Sequence, residues 1–500
     1  MKRSIRSIRI VTLPLALSGF MATPGLAAPL LLTQTPQATV KEPPPNVVMT
    51  IDDSLSLGEP GISAIRSALK ATFTEELIPD GSIRLAWQSL NRCKRLPLGV
   101  NTDSGCGAYN GMRLIDRTHR TNLTNWIDNL TLPNPSNTPS HLAMKRVLDY
   151  FSSKSNYNPW RNNPQTPGDT SELSCRKSFH VFMTDGSWNS VYASFKDGDG
   201  VVMGGGNADG VSRDLPDSVR YDAASAQTRF YRDTRGIPAI STFSDLAFHM
   251  WATDLRTDLA NDVKFRQKVS TNEMYGTTAI TPYWNPKNNP ASWQHIVTYT
   301  IGFKGAAEKW TGDIQWAGGM YTGDGINKLA QGNYTWTSPL CGTNLNSICT
   351  VDQGVKDAGV NNRRKQELWH AAMNGRGVFF PAPDDSALTA AFQSILADIR
   401  AEGIGGVVSV GASTRVLRQD GLLYLVSFRP EPWSGDVNAF GLRASDTSLS
   451  ATTSWSAAAR LDLSTLNVST RLIKTHNETG GADFAWASIS PAQRRTTLED

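Results

Sequence analysis

The chain has 500 residues, of which 39% are apolar and 19% are charged, so it is long enough for about two to four globular domains. Its formal net charge is +4, and the four basic residues Lys2, Arg3, Arg6 and Arg9 account for the whole excess. The rest of the chain is balanced and its Lys and Arg residues are scattered, which argues against nucleic acid or an anionic membrane surface as a partner.

Residues 1–28 predict a cleaved secretory signal peptide. The basic residues precede a largely apolar run over 10–22, and small residues follow at 25–28. The apolar run is shorter than the roughly 20 residues of a spanning helix, and no later segment is long and apolar enough to cross a bilayer. An uncleaved anchor is the alternative. After export, we expect the chain to begin with a Pro- and Thr-rich linker over 29–45.

Strand and helix signals alternate over residues 46–402, which predicts an α/β domain with a doubly wound, mostly parallel sheet. Short runs dense in Val, Ile, Phe and Tyr predict strands at 47–52, 83–90, 179–184 and 296–303. Apolar residues at helical spacing predict helices at 62–77, 140–151, 243–255 and 387–399. Polar segments near 187–241 and 305–364 are predicted to be surface insertions in this domain.

The first predicted strand stops abruptly at the Asp-x-Ser-x-Ser pattern of Asp52, Ser54 and Ser56. Thr138 offers a hydroxyl just before a predicted helix, and Asp185 directly follows another predicted strand. Ligands of open α/β sheets sit outside the carboxyl ends of the strands, so these loops are expected to converge. Carboxylate and hydroxyl oxygens suit a hard divalent cation, and we predict Mg²⁺, with Mn²⁺ or Ca²⁺ as alternatives.

Each of these signals also has an ordinary structural explanation. Asp and Ser at a strand end are common turn residues, and a Thr before a proline is a common helix cap. It is the combination, in this order and at these strand ends, that favours a metal site.

The five cysteines are Cys93, Cys106, Cys175, Cys341 and Cys349, and none belongs to a Cys-x-x-Cys pair. In an exported protein they predict disulfides rather than zinc ligands. Proximity suggests pairing of Cys93 with Cys106 and of Cys341 with Cys349, although geometry can overrule proximity. The seven histidines form no recognisable catalytic arrangement. We expect His295 and His370, each beside a tryptophan, to be packed structural residues.

Residues 403–500 change in character. Segments at 405–413, 422–428 and 437–442 predict short strands, separated by Gly, Pro and Ser. They suggest a separate all-β region that looks like the start of a β-propeller. With blades of roughly 40 to 50 residues, this length would make two blades at most, so we expect a truncated or partial protein.

The three-loop pattern resembles the von Willebrand factor A domain and its metal-ion-dependent adhesion site. The resemblance implies that Asp52, Ser54, Ser56, Thr138 and Asp185 surround the ion and leave one position open for a carboxylate of a partner. Leu55 departs from the Gly that is usual between the two serines, a change that leaves the ligands intact.

Five further segments resemble the PilY family of type IV pilus assembly and tip adhesins. They are DGSWN at 185–189, GNADG at 206–210, WQHIVTYTIG at 293–302, LWHAAMNGRG at 368–377 and WSGD at 433–436. The resemblance implies an A-type domain followed by a β-propeller, in a secreted factor at or near the pilus tip. Implied partners are minor pilins or pilus tip proteins, and host or abiotic surface receptors with an exposed carboxylate.

The sequence leaves more than one function open. A non-enzymatic pilus biogenesis factor and adhesin is favoured, because no activated nucleophile or acid/base pair is evident. The alternatives are a general cell-surface metal-dependent adhesin unconnected to pili, and an accessory domain of a metal-dependent enzyme.

Overall fold

The structure of the chain is a computed structural model. The residues it describes are 43–97, 104–107, 109–134, 136, 138–164, 166, 168–186, 206–233, 242–307, 320–321, 324–336, 358–403, 410–412, 422–429, 434–442, 449–461, 474–477 and 480–483. The predicted signal peptide and most of the predicted linker lie outside these residues.

Six of the described strands form one mixed sheet. They are β1 (Asn46–Ile51), β2 (Arg84–Ser89), β3 (Arg113–Leu114), β4 (Ser178–Thr184), β9 (Val297–Phe303) and β10 (Arg376–Ala382). Their order is β10-β9-β4-β1-β2-β3; all neighbours are parallel except β2 and β3. The β-branched residues of β1 are fully buried, as expected for a central strand covered on both faces. The mostly parallel α/β sheet predicted from the sequence is confirmed.

Helices lie on both faces of this sheet. The described helices are α1 (Gly58–Thr72), α2 (Arg117–Asp128), α3 (Ser140–Ser152), α4 (Phe243–Ala252), α5 (Asp324–Gln331), α6 (Ala358–Asn374), α7 (Asp385–Gly403) and α8 (Ala457–Leu461). Val47, Met49 and Ile51 of β1 pack in one core with α1, α2 and α7, whereas Val48 packs in a second core with α3, α4 and α6. This alternation follows from the two-residue period of a strand. None of the described helices has the length and apolar character needed to cross a membrane.

The remaining described strands form smaller antiparallel sheets. Two hairpins pair β5 (Arg213–Asp214) with β6 (Arg220–Tyr221) and β7 (Glu273–Tyr275) with β8 (Thr278–Ile280). A four-stranded sheet contains β11 (Val410–Ala412), β12 (Leu422–Arg429), β13 (Ser434–Leu442) and β14 (Leu449–Ser456). A further pair joins β15 (Lys474–Asn477) and β16 (Gly480–Asp483). The β character predicted after residue 403 is therefore present, while its assignment to a propeller stays a prediction.

The four predicted strands of the main sheet and the four predicted helices are all present, with shifted ends. The sequence interpretation missed the helices α2, α5, α6 and α8 and the strands β3, β5 to β8, β10 and β14 to β16. It also assigned the polar segments near 187–241 and 305–364 to the surface, although some of their aromatic residues are buried. Tyr221, Phe230 and Tyr231 from the first of them, and Trp336 from the second, are fully or almost fully buried. Their rings pack against α4 and α6 in the second core, because aromatic residues within a polar segment can still supply large apolar surfaces.

The predicted disulfide between Cys93 and Cys106 is confirmed. It closes a loop just beyond β2, and both cysteines are fully buried. Cys341 and Cys349 lie outside the described residues, so their pairing stays a prediction.

Candidate metal centre

The site begins with the register of the central strands. Ile51 at the end of β1 pairs with Met183 in β4 and with Ser89 at the end of β2. The backbone N–H of Asp52 continues the ladder by donating to the Met183 carbonyl at 3.1 Å. Because the strands are parallel and in step, the chain leaves them at one edge. This edge is called here the carboxyl edge.

The first loop folds back on itself around Asp52. Its Oδ1 accepts a hydrogen bond from the backbone N–H of Ser54 at 2.8 Å, which fixes a tight turn directly after the strand. A short 3₁₀ turn over Leu55–Leu57 follows. It brings the Ser54 and Ser56 hydroxyl oxygens to 2.9 Å from each other. The two predicted serine ligands therefore lie side by side.

Thr184 joins the second loop to the first. Its hydroxyl donates to Asp52 Oδ2 at 2.6 Å and accepts from the backbone N–H of Gly186 at 3.0 Å. Asp185 lies between Thr184 and Gly186 in the sequence, and its charge acts on Asp52. Complete burial, reinforced by that like charge, raises the pKa of Asp52 to about 7, although hydrogen bonds from Thr184 and Ser54 oppose the shift. A cation beside the two carboxylates would counter both causes.

The third loop carries Thr138 and is tied to the first by a neighbouring serine. The Ser136 hydroxyl oxygen accepts from the backbone N–H of Leu55 at 2.9 Å. Thr138 is buried, and its carbonyl accepts from the N–H of Ser140, where α3 begins. The predicted position of Thr138 at a helix start is thus correct. All five predicted residues lie on three loops at the carboxyl edge.

The donor set fits a small hard cation. Mg²⁺ binds oxygen ligands at about 2.1 Å in an octahedron, whose adjacent ligands are about 3 Å from each other. The 2.9 Å separation of the Ser54 and Ser56 oxygens matches that edge. Among the described residues, no group of three or more His, Cys, Asp or Glu side chains is placed to hold a metal ion. A site in this part of the chain would therefore depend on hydroxyl ligands, as the sequence predicted.

The sequence interpretation missed Asp53, which braces the loop from behind. Its carboxylate accepts from the Ser89 hydroxyl at 2.7 Å and from the backbone N–H groups of Asn91 and Arg92 at 2.8 and 2.9 Å. Asp53 therefore fixes the loop after β2, while its neighbour Asp52 bonds to Thr184 and Ser54 in the candidate metal centre. The two consecutive aspartates were the feature of the sequence that could have revealed this role. In extended backbone, successive side chains point to opposite sides, so adjacent carboxylates can serve two different sites.

The two histidines singled out in the sequence are packed structural residues, as predicted. His295 is buried and its Nδ1 bonds with the Trp293 carbonyl oxygen at 2.7 Å. His370 stacks on Trp336 with ring centroids 4.7 Å from each other. Burial lowers the pKa of His295 to about 4 and that of His370 to about 3, so both rings are neutral at physiological pH.

The amino-acid sequence of the chain is similar to those of known pilus proteins. The chain is 33% identical over 427 residues to type IV pilus biogenesis factor PilY1 of Pseudomonas aeruginosa strain PAK, covering 83% of this chain and 32% of that protein. It is 30% identical over 434 residues to the PilY1 of strain UCBPP-PA14, again with 83% and 32% coverage. The chain thus spans about a third of the length of the curated relatives it matches. No family model and no solved structure matches it.

Proposed function

The chain belongs to the PilY family over the 83% of its length that aligns with these biogenesis factors, and from this we infer its function. We propose that it is a secreted type IV pilus biogenesis factor and tip-associated adhesin. Its main sheet would be a von Willebrand factor A-like domain, and the β strands after residue 403 would begin a propeller-like domain. The binding element would be a metal-ion-dependent adhesion site at the carboxyl edge.

The observation that supports the adhesion site most directly is the joining of the three loops. Thr184 connects the loop of Asp185 to Asp52, and Ser136 connects the loop of Thr138 to Leu55. These bonds fix the loops before any ion binds, so little reorganisation is needed on binding.

Asp52, Ser54, Ser56, Thr138 and Asp185 would hold Mg²⁺, or Mn²⁺ or Ca²⁺ in its place. The ion would supply a positive charge with one open coordination position, which a carboxylate of a partner can occupy. Ser56 is exposed, so the site can be reached from solvent, whereas buried Asp52 anchors the loop to the sheet. This arrangement suits reversible binding under load.

The proposed partners are minor pilins or pilus tip proteins, and host or abiotic surfaces that carry exposed carboxylates; nucleic acid is not expected.

We propose binding rather than catalysis. The hydroxyls of Ser54 and Ser56 bond with each other. The candidate histidines, His295 and His370, are buried, neutral and bonded to backbone carbonyls. Neither pattern provides an activated nucleophile.

The test is a calorimetric titration of Mg²⁺, Mn²⁺ and Ca²⁺ into the full oxidised chain. We expect saturable binding that is lost in Ser54→Ala and Asp185→Ala and retained in the control Ser63→Ala, which removes an exposed hydroxyl from α1. Pilus counts and surface attachment of cells carrying the same variants would then separate assembly from adhesion. Wild-type metal binding by both site variants would refute the adhesion site.

A further inference from the structure

Two basic residues flank the candidate metal centre along the carboxyl edge. Lys304 directly follows β9, and Arg92 lies three residues after β2. Strands β4 and β1, which supply Asp185 and the Asp52 loop, lie between β9 and β2 in the sheet. The edge therefore presents a basic residue, the metal centre and a second basic residue in that order.

The metal loops are the three loops that carry Asp52, Thr138 and Asp185, and local contacts place Lys304 beside two of them. Its Nζ is 3.5 Å from the position that a Cβ on Gly61 would occupy, so the ammonium lies against the start of α1, close to the Asp52 loop. The same 3₁₀ turn, Lys304–Ala307, adjoins the loop of Asp185, because a Cβ on Gly186 would lie 2.7 Å from that of Ala306.

Arg92 is placed on the other side by two contacts. Its backbone N–H donates to Asp53 Oδ2 at 2.9 Å, next to the metal residues. Its guanidinium bonds to the hydroxyl of Thr131, at the start of the loop that continues to Ser136 and Thr138. Arg92 is thus connected to two of the three metal loops.

The side-chain neighbours of both cations are uncharged: Arg92 bonds to the Thr131 hydroxyl, and the Lys304 ammonium lies 5.1 Å from the centroid of the Phe303 ring. Arg92 is exposed and Lys304 is partly exposed, and neither forms an ion pair with any residue in the described ranges. Exposed Glu59, in the first turn of α1, and exposed Asp384 and Asp385, just after β10, are acidic residues near the same edge. They reduce the positive potential, most of all beside Lys304, but leave the two outer cations in place.

The spacing of Lys304, the metal centre and Arg92 along the edge suggests how the charges of a ligand would be spaced. Three strand intervals of about 4.8 Å separate β9 from β2, which is about 14 Å. In an extended peptide, residues i−2 and i+2 are also about 14 Å from each other, and residue i lies midway between them. The metal centre, between β4 and β1, occupies that midpoint.

We propose that the edge binds an extended acidic segment with carboxylates at three alternate positions. The central carboxylate would meet the metal ion, and the outer two would pair with Arg92 and Lys304. This inference rests on the proposed adhesion site and specifies the class of partner that the site selects.

The experiment compares two capped, surface-immobilised peptides, Asp-Ser-Asp-Ser-Asp and Ser-Ser-Asp-Ser-Ser, for binding the full chain in millimolar Mg²⁺. Two exposed ion pairs predict a roughly two- to thirtyfold preference for the three-carboxylate peptide, which added NaCl should diminish. The double variant Arg92→Gln/Lys304→Gln should lose this preference but retain Mg²⁺ and the single-carboxylate peptide. Arg117→Gln is the matched control, since α2 starts at the opposite edge of the sheet, just after Leu114 pairs with Arg84.

The outcomes separate the two proposals. Mg²⁺-dependent binding of both peptides with equal affinity, or a preference that survives in the double variant, would overturn the acidic-segment inference and leave the adhesion site standing. A chain that takes up neither Mg²⁺ nor either peptide would overturn both.

Discussion

The hydroxyl of Thr184 donates to Asp52 Oδ2 at 2.6 Å, joining the ends of two neighbouring parallel strands. The bond is made to the charged form of a buried carboxylate, so it lowers the pKa of Asp52 against the opposing effect of burial. It thereby maintains the ionised form that a metal ion requires.

Replacement of Thr184 by valine should therefore weaken metal binding. Val is nearly the same size but cannot donate to Asp52, so the pKa of Asp52 should rise and protons should compete more strongly with Mg²⁺ at neutral pH. Calorimetric Mg²⁺ affinity measured from pH 6 to pH 8 should show the loss shrinking as pH rises. Thr72→Val, which removes a buried hydroxyl bonded to a helix carbonyl, is the control. Equal Mg²⁺ affinity in Thr184→Val and wild type would contradict this role.

Stabilisation by Mg²⁺ should be larger at pH 8 than at pH 5. The pKa of Asp52, about 7 in the folded chain, lies above its ordinary value of 3.8. The stability that this group contributes in the metal-free chain is present at low pH and is lost as pH rises through about 7. Mg²⁺ binds the ionised form, so it should offset the loss. Thermal unfolding with and without Mg²⁺ at both pH values tests this; an equal shift in wild type and Asp52→Asn would count against it.

Gly186→Ala should disturb the metal loops and destabilise the chain by about 1–3 kcal/mol. Gly186 has a φ of +95°, and an added Cβ would lie 2.7 Å from that of Ala306. The backbone would have to move next to Asp185, so Mg²⁺ affinity should fall as well. Gly305→Ala is a close control, because its Cβ would have no atom within 4 Å. Similar urea midpoints and Mg²⁺ affinities for the two variants would refute the prediction.

Removal of the disulfide should lower the free energy of unfolding by about 3 kcal/mol, as the loop-entropy model gives for a loop of this size. Cys93 and Cys106 are separated by 13 residues in sequence. Ser89 donates from its hydroxyl to Asp53 and accepts from the N–H of Cys93, so a loosened loop should also reduce Mg²⁺ affinity. Urea unfolding and Mg²⁺ titration of the Cys93→Ala/Cys106→Ala double variant measure both effects. Reductant should reproduce these changes in the wild type, and any further change that it causes in the variant would come from the predicted disulfide between Cys341 and Cys349.

Asp209→Asn should stabilise the chain more at pH 8 than at pH 5. Asp209 is fully buried, and burial, followed by the charges of Asp245 and Asp233, raises its pKa well above the usual range. The stability it contributes at low pH is lost as pH rises, at about 1.4 kcal/mol for each unit of pKa elevation. Asn cannot ionise and can still accept the bond that Asn374 donates at 2.8 Å. Urea unfolding at both pH values is the measurement, with exposed Asp217→Asn as control; a gain independent of pH would show another cause.

Local patterns were sufficient to predict β1, β2, β4 and β9, because their apolar runs are dense and end abruptly in polar residues. They did not predict α2, since its twelve residues include only a few apolar ones, such as Leu123, Trp126 and Ile127, that reach the core. Helix propensity and local pattern give a weak signal when tertiary packing supplies most of the stability.

The sequence by itself determined the identity of the candidate metal residues and their places after strands or before a helix. Strand ends and turns are local features, set by side chains within a few positions of each other. Only the tertiary structure decided that Thr184 supports Asp52, that Ser136 holds the third loop, and that Asp53 braces the loop after β2. These contacts join residues 36 to 132 positions from each other, and no local pattern encodes the strand order and register that bring them together.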